Sequence, residues 1–351
     1  GTTSLAGIGA AATQIPGGIA WAGFLLTFFG FGVKTGILPV NIWMSEGYAA
    51  APRGLLPIFS GATLNLGVFT MWTIDGPLAT HVPNIALVIL VVGALTAILG
   101  IIYALATHSL TRLLTQSSIE NLGIVVAALG AGCTFSALGH PVLAGLLLVA
   151  GLYHMLNHSA YKTLLFLGAG GIGETVCDDL NRLGGLMRRV PVFGTLFLLG
   201  TFAIAALPPF NGFVSEWLVL ESLLRVVELG PIPVRIIFAL AGASLALPAG
   251  LAVTCFVMLA GSALLGLPRS REAAALRHMP ASVTAPMGVL VVMCFGLGVL
   301  ATAVIPLLGR LTATLTGVNP TGALVPAFFG QVQSLGAGVV HDLAQLGAQL
   351  G

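Results

Sequence analysis

His154, His158 and Lys162 follow one another at intervals of four, a spacing that on an α-helix stacks them into one stripe about 12 Å long. Two imidazoles and an amine on one stripe are groups that bind and release protons. The stretch that carries them, Tyr153 to Gly168, is otherwise apolar enough to lie in a bilayer. A charged Lys or Arg at the centre of a membrane helix costs at least ~2.5–3.5 kcal/mol, so such groups face a bundle interior or a wet cavity and mark ion or proton paths. A lone membrane histidine often only closes an interhelical hydrogen bond. Two histidines and a lysine in register favour a relay.

Acids and breaks complete the set. Glu120, in Ser117-Ser118-Ile119-Glu120-Asn121, falls well inside another apolar segment and needs a partner. Glu216 follows Leu207-Pro208-Pro209-Phe210-Asn211-Gly212, where proline removes donors and glycine permits unusual dihedrals, so the helix is expected to break there. Broken membrane helices leave backbone groups unpaired near the midplane and are used where ions bind. Asn211 and Glu216 are therefore placed beside such a site, and Lys34 and Asn65 sit inside the first two apolar segments.

These side chains require a membrane scaffold, and the composition supplies one. Of 351 residues, 57% are hydrophobic and 7% charged, far from the roughly 25% charged residues of soluble domains. The reading is an all-α, polytopic transmembrane helical bundle of about eight spans with two broken helices. The spans fall at about 18–40, 54–73, 84–106, 113–134, 141–170, 190–227, 234–266 and 284–308. The third has no charged residue and reads as lipid-facing; the fifth is long enough that it must tilt, kink or project. Residues 1–17 read as a Gly-rich linker, 18–310 as the membrane domain and 311–351 as a tail. The first residue is Gly1 and no signal-like segment precedes the first span, which reads as the later part of a longer polypeptide.

Charge and cysteine usage narrow the function. A net charge of +2 gives no basic surface that could track a phosphate backbone, so nucleic acid is excluded as a partner. Cys133, Cys177, Cys255 and Cys294 lack any C-x-x-C spacing, and neither a metal site, a cofactor nor a redox centre is expected. With eight spans, Arg53, Arg112, Arg182, Arg188, Arg189, Arg269, Arg271 and Arg277 fall on one side and Arg225, Arg235 and Arg310 on the other. The positive-inside rule makes the first side cytoplasmic and puts both chain ends on the outer, periplasmic side of the inner membrane. The charged connection Glu174 to Arg189 reads as a solvated loop that sets this topology, as does Arg269 to Arg277.

Four motifs line up in order: Gly32-Val33-Lys34-Thr35-Gly36-Ile37-Leu38-Pro39 with Trp43, Ser117 to Gly123, the ladder, and Leu207 to Trp217. This order resembles the antiporter-like membrane subunits of respiratory complex I, and most of all the hydrogenase-4 component B and formate hydrogenlyase branch. The resemblance runs from about residue 25 to 310. It implies a fold of about fourteen spans in two inverted repeats, of which these are the last eight. It also implies that Lys34 is the lysine beside the first break, Lys162 the central lysine, Glu216 the terminal ionisable residue, and His154 and His158 relay positions.

The departures bear on function. Asn65 stands where the family has a second lysine, Asn41 and Tyr48 where histidines are usual, Ser45 for a proline, and Met258 where a basic residue is common. Asparagine hydrogen-bonds water but carries no proton, so Asn65 and Asn211 are polar relay positions at most. Three functions stay open. The first is a proton-translocating subunit partnered by hydrogenase or dehydrogenase subunits, with protons moving along Lys34, Glu120, His154, His158, Lys162 and Glu216. The second is a non-conducting scaffold of such a complex. The third is a subunit of a multi-subunit cation/proton antiporter.

Overall fold

Backbone in hydrocarbon has no water to bond, so a spanning chain must satisfy its amides within its own helices. The computed structural model describes residues 5–225, 231–316 and Pro320. Among the described residues the long elements are all α-helices, and strand pairing is limited to one bridge, Ser109 with Asp179. We number the principal helices α1 (Leu5–Ala12), α2 (Gly17–Thr35), α3 (Ile42–Ala50), α4 (Arg53–His81), α5 (Pro83–Ala106), α6 (Leu110–Ala137) and α7 (Pro141–Thr175). They continue as α8 (Pro191–Ile204), α9 (Asn211–Leu224), α10 (Ile232–Leu264), α11 (Ala281–Val299) and α12 (Ala301–Thr316).

Seven of these helices are long and apolar enough to cross a membrane: α2, α4, α5, α6, α7, α10 and α11. The shorter apolar helix α8 is followed, after an interruption between Ile204 and Asn211, by α9, and the two end to end are long enough for an eighth span. The expected first break is also present: α2 ends where Gly36 adopts φ 81° and bonds back to Gly32, and α3 starts at Ile42. Three expectations are revised. Residues 1–17 are not all loop, since Leu5–Ala12 is helical. The second span runs on through Pro77 to His81. The eighth ends at Val299, and α12 begins afresh at Ala301. Most of the tail from 311 onward lies outside the described residues.

Polarity is distributed inside out. The helix with Glu120, α6, is the interior one, with every residue from Ser117 to Phe135 buried. The apolar helices α10 and α11 stand outside and expose Leu240, Val257, Val289 and Val292, as a lipid-facing surface requires. The ladder helix α7 is unbroken over 35 residues, about 52 Å, against a hydrocarbon core of about 30 Å.

The apolar third span is not simply lipid-facing, because α5 carries the closest packing against α6. A β-carbon added at Gly100 would lie 2.5 Å from the Glu120 amide nitrogen, and one at Gly123 would lie 2.4 Å from that of Ala97. Small residues let two backbones approach this closely and gain dispersion contacts that lipid cannot supply. They also fix the depth of Glu120.

One end of the bundle is knotted by polar bonds. Asp178, expected on a solvated loop, instead accepts from the Thr111 amide at 3.0 Å and from the hydroxyls of Ser109 and Thr111 at the start of α6. That satisfies donors which a helix N-terminus leaves free. Arg112 pairs with Glu46 at 2.8 Å and Arg182 with Glu272 at 3.4 Å, while Arg269 donates to the carbonyls of Leu180 and Ser262 at 2.7 and 2.6 Å. The arginines assigned to one side thus gather at one end.

The glycine contact makes a prediction. Gly100→Ala should lower the stability of the purified protein by about 1–3 kcal/mol, the usual cost of overpacking. Gly250→Ala, where an added β-carbon meets nothing within 4 Å, should be neutral, and unfolding in a denaturing-detergent titration compares them.

Candidate functional site

The ladder on α7 is buried throughout. Tyr153, His154, Asn157, His158, Tyr161 and Lys162 have no exposure. At 3.6 residues per turn they form two adjacent rows, 154/158/162 and 153/157/161, each rung one turn from the next. The two rows face α6 and the half-helix α9.

Asn121 joins the parts. Its Nδ2 donates to Glu120 Oε2 and to the Ser117 carbonyl, both at 2.7 Å, and its Oδ1 accepts from the Tyr161 hydroxyl at 2.6 Å. Because the Ser117 carbonyl can only accept, the amide orientation is determined, and Oδ1 is the atom 3.2 Å from His154 Nε2. His154 Nε2 therefore carries hydrogen. Its Nδ1 lies 3.0 Å from Ser215 Oγ on α9, and that hydroxyl can donate to the neutral ring. It can also accept from a doubly protonated ring and turn its own hydrogen to the carbonyls of Gly212 or Asn211, at 3.1 and 3.3 Å. His154 can gain a proton without losing a partner.

Lys162 donates to the Leu114 carbonyl at 2.9 Å and to Ser117 Oγ. Ser117 also takes the Asn121 bond on its carbonyl, so the amine and the His154 ring meet through two α6 residues. Glu120 lies within electrostatic reach of both Lys162 and Glu216. Glu216 is buried on the first turns of α9. His158, between the two rungs, sets its ring edge-on to Tyr161 at 5.8 Å, and neither ring nitrogen has a hydrogen-bond partner among the described residues.

The break between α8 and α9 is clasped. Asn157 Nδ2 donates to the Asn211 carbonyl at 2.9 Å, and Asn211 Nδ2 returns to the Asn157 carbonyl at 3.4 Å. Gly298 on α11 lets the Pro209–Asn211 backbone approach so closely that an added β-carbon would sit 2.1 Å from the Pro209 carbonyl. Tyr153 bonds the neighbouring Leu297 carbonyl. These contacts are why the broken segment sits on the ladder.

The remaining candidates stand apart. Asn65 is half-buried on α4, just after a π-helical turn at Phe59–Thr63, and its Nδ2 donates to Ser159 Oγ at 2.5 Å. It touches the ladder helix one residue from His158 but bonds no rung. Lys34 is beside the first break as expected, yet its side chain is exposed on the bundle surface, so the described residues do not bring it into the seam. The relay reading missed Ser117, Asn121, Tyr161 and Ser215, neutral groups whose value depends on which helix they face. It also missed Asp75, fully buried on α4, with Oδ1 bonded by Thr27 and Oδ2 without a partner among the described residues. Its signal was an acid before Gly76-Pro77, which reads as a helix end but lies within the helix.

Comparison with known proteins adds four findings. Residues 1–240 match the family model described as NADH:quinone oxidoreductase/Mrp antiporter, transmembrane. The chain is 35% identical to hydrogenase-4 component B of Escherichia coli K12 over 321 residues, covering 89% of this chain and 48% of that protein. It is 38% identical to formate hydrogenlyase subunit 3 of the same organism over 289 residues, covering 81% and 47%. The chain thus spans about half the length of these curated relatives. Among solved structures, a chain of the Mrp complex from Dietzia sp. DQ12-45-1b superposes with a TM-score of 0.74 at 20% identity, covering 90% of this chain and 63% of that one.

Asn121→Leu keeps the bulk and removes the hub. It should destabilise the bundle by about 1–3 kcal/mol for each buried group it strands, His154 and Tyr161 foremost. Equilibrium unfolding of the variant against the parent measures this, and Asn121→Asp, which sets an acceptor oxygen against Glu120 Oε2 and the Ser117 carbonyl, should not restore it.

Proposed function

Because this chain belongs to the NADH:quinone oxidoreductase/Mrp antiporter transmembrane family, we propose that it is a multi-pass subunit that passes protons through the α6–α7–α9 seam of a hydrogenase- or dehydrogenase-linked membrane complex. The observation that carries this reading is the buried run from Glu120 through Asn121 and His154 to Ser215, with buried Lys162 and Glu216 in the same seam. As His154 Nδ1 gives its proton to Ser215 Oγ, the hydroxyl gives its own hydrogen to a water bound in the seam, and rotation of the new hydroxyl resets the bond. Lys162 alternates between ammonium and amine, and a charge arriving at Glu120 or Glu216 alters which form is favoured.

Rungs one helical turn apart are about 5–6 Å distant, too far for a direct hydrogen bond. Transfer between them therefore runs through water, which the free atoms of the seam, both His158 nitrogens and the Oδ1 atoms of Asn157 and Asn211, are suited to bind. Electron transfer takes place in partner subunits, and this chain converts it into proton movement. The α6–α7–α9 face is the conducting part and α2–α3, with Lys34, the face turned toward further membrane subunits. We place the bundle in the cytoplasmic membrane with the arginine-rich end inward. A cysteine replacing Arg188 should then react with an impermeant maleimide in inverted vesicles and not in intact cells; the opposite pattern would reverse the orientation.

A non-conducting scaffold is favoured by Asn65 in place of an ionisable group, Met258 where a basic residue is common, and the exposure of Lys34. The two readings part on Lys162. Lys162→Met in the assembled complex should reduce proton translocation per electron transferred on the order of a hundredfold, the low end of what a positioned proton-transfer group contributes, while assembly persists. Lys162→Arg should fail as well, because a guanidinium does not release its proton. Glu216→Gln keeps shape and bonding and should slow translocation without loss of folding. Fluorescent proton uptake in inverted vesicles reads all three, and full coupling in the Met variant would establish the scaffold.

A further inference from the structure

The arginine-rich end holds two kinds of arginine. Arg112, Arg182 and Arg269 are engaged with Glu46, Glu272 and backbone carbonyls. Arg188, Arg189 and Arg277 have neither an acid nor a hydrogen-bond acceptor on their guanidiniums among the described residues, and all three line one cleft of about 250 Å³. No acid among the described residues pairs with them: Glu46, Asp178 and Glu272 are bonded elsewhere, Asp179 accepts from the Asn181 amide, and Glu174 is not within ion-pair distance of an arginine.

The cleft is built into the fold. Its two walls, Gly185–Arg189 and Gly266–Pro268, are clamped by the Gly185 amide bonding the Leu265 carbonyl at 2.8 Å and the Arg269 amide bonding the Leu183 carbonyl at 3.3 Å. Gly185 and Gly266 turn the chain at φ 68° and 71°, a conformation that residues with a β-carbon rarely adopt. Depth follows from the helices. Arg188 and Arg189 lie just before the Val190 cap of α8, Arg277 precedes α11, and Gly266 to Pro268 follow α10. Three membrane helices end around the cleft, so it lies at the membrane boundary. Val192 on the first turn of α8, Leu265 at the end of α10 and Leu267 in the cleft wall are 67%, 58% and 75% exposed, large apolar side chains close to these guanidiniums.

We propose that this cleft binds the phosphate headgroup of an anionic phospholipid, with its acyl chains along Val192, Leu265 and Leu267. Guanidinium forks match phosphate oxygens two at a time, and basic pockets between membrane helices at headgroup level suit such lipids. The apolar rim selects a lipid over an acidic protein segment, which would leave those side chains uncovered. The inference is independent of proton conduction.

The test is native mass spectrometry of the full chain purified in a zwitterionic detergent, titrated with phosphatidylglycerol, cardiolipin, phosphatidylcholine or inorganic phosphate. Anionic lipids should bind at concentrations where phosphatidylcholine does not, and excess inorganic phosphate should not displace them. At about 1 kcal/mol per arginine near the surface, Arg188→Gln with Arg277→Gln should weaken binding roughly thirtyfold. Arg271→Gln, at the same end but off the cleft, and Lys162→Met should bind as the parent does. If size-exclusion shows the double variant misfolded, Arg277→Gln alone should give about a fivefold loss. Equal binding of phosphatidylcholine, unchanged affinity in the cleft variants, or displacement by inorganic phosphate would overturn the proposal. So would loss of the lipid on assembly of the complex, with the arginines then shielded from phenylglyoxal, which would make this a protein contact.

Discussion

The seam depends on one buried carboxamide. Asn121 sits where two hydrogens and one oxygen are all committed, to Glu120, Ser117, Tyr161 and His154. In a low-dielectric interior an unpaired polar group costs far more than it does at a surface, so a polar network there must be nearly complete or it is a liability. Asn121 brings an acid, an imidazole, a phenol and a lysine-bearing serine into one connected set without itself titrating. The titratable groups can then change state while the frame around them keeps its bonds.

Everything else in the bundle serves the position of that network. The glycine contacts between α5 and α6 fix the height of Glu120. The reciprocal Asn157–Asn211 pair and the approach of Gly298 hold the broken helix against the ladder, which puts Ser215 within reach of His154. The Asp178 cap ties the segment after α7 to the start of α6, and the Arg112–Glu46 pair ties α6 to α3. Apolar helices on the outside keep lipid against lipid-like surface and leave the interior for polar chemistry.

The seam is not uniformly satisfied. Around Asn121 nearly every polar atom is paired, while at His158, Asn157 and Asn211 hydrogen-bonding capacity is left over. A fully bonded stretch sets geometry, and a stretch with free polar atoms can exchange partners. A route for protons needs both, since the rungs must stay in line while the bonds between them re-form.

How much of this was legible in the chain follows from what local order encodes. Helical spacing put His154, His158 and Lys162 on one face, the Pro-Pro and Gly signals marked both breaks, and the low charge with long apolar runs determined a multi-pass bundle; all three are properties of neighbours in sequence. Depth and exposure are not local. Lys34 reads like Lys162, an isolated lysine in an apolar span, yet one is exposed and the other has no exposure. Asp75 reads as lying beyond a helix end and is buried, because tertiary packing carries α4 through Pro77. Asn121, Ser117, Tyr161 and Ser215 are ordinary neutral residues in sequence, and only the packing of α6, α7 and α9 decided that they face one another. The same holds for Arg188, Arg189 and Arg277: their charge was evident in the chain, but which arginines would find acids was settled by the fold, since the ion pairs at this end join residues 66 and 90 positions apart.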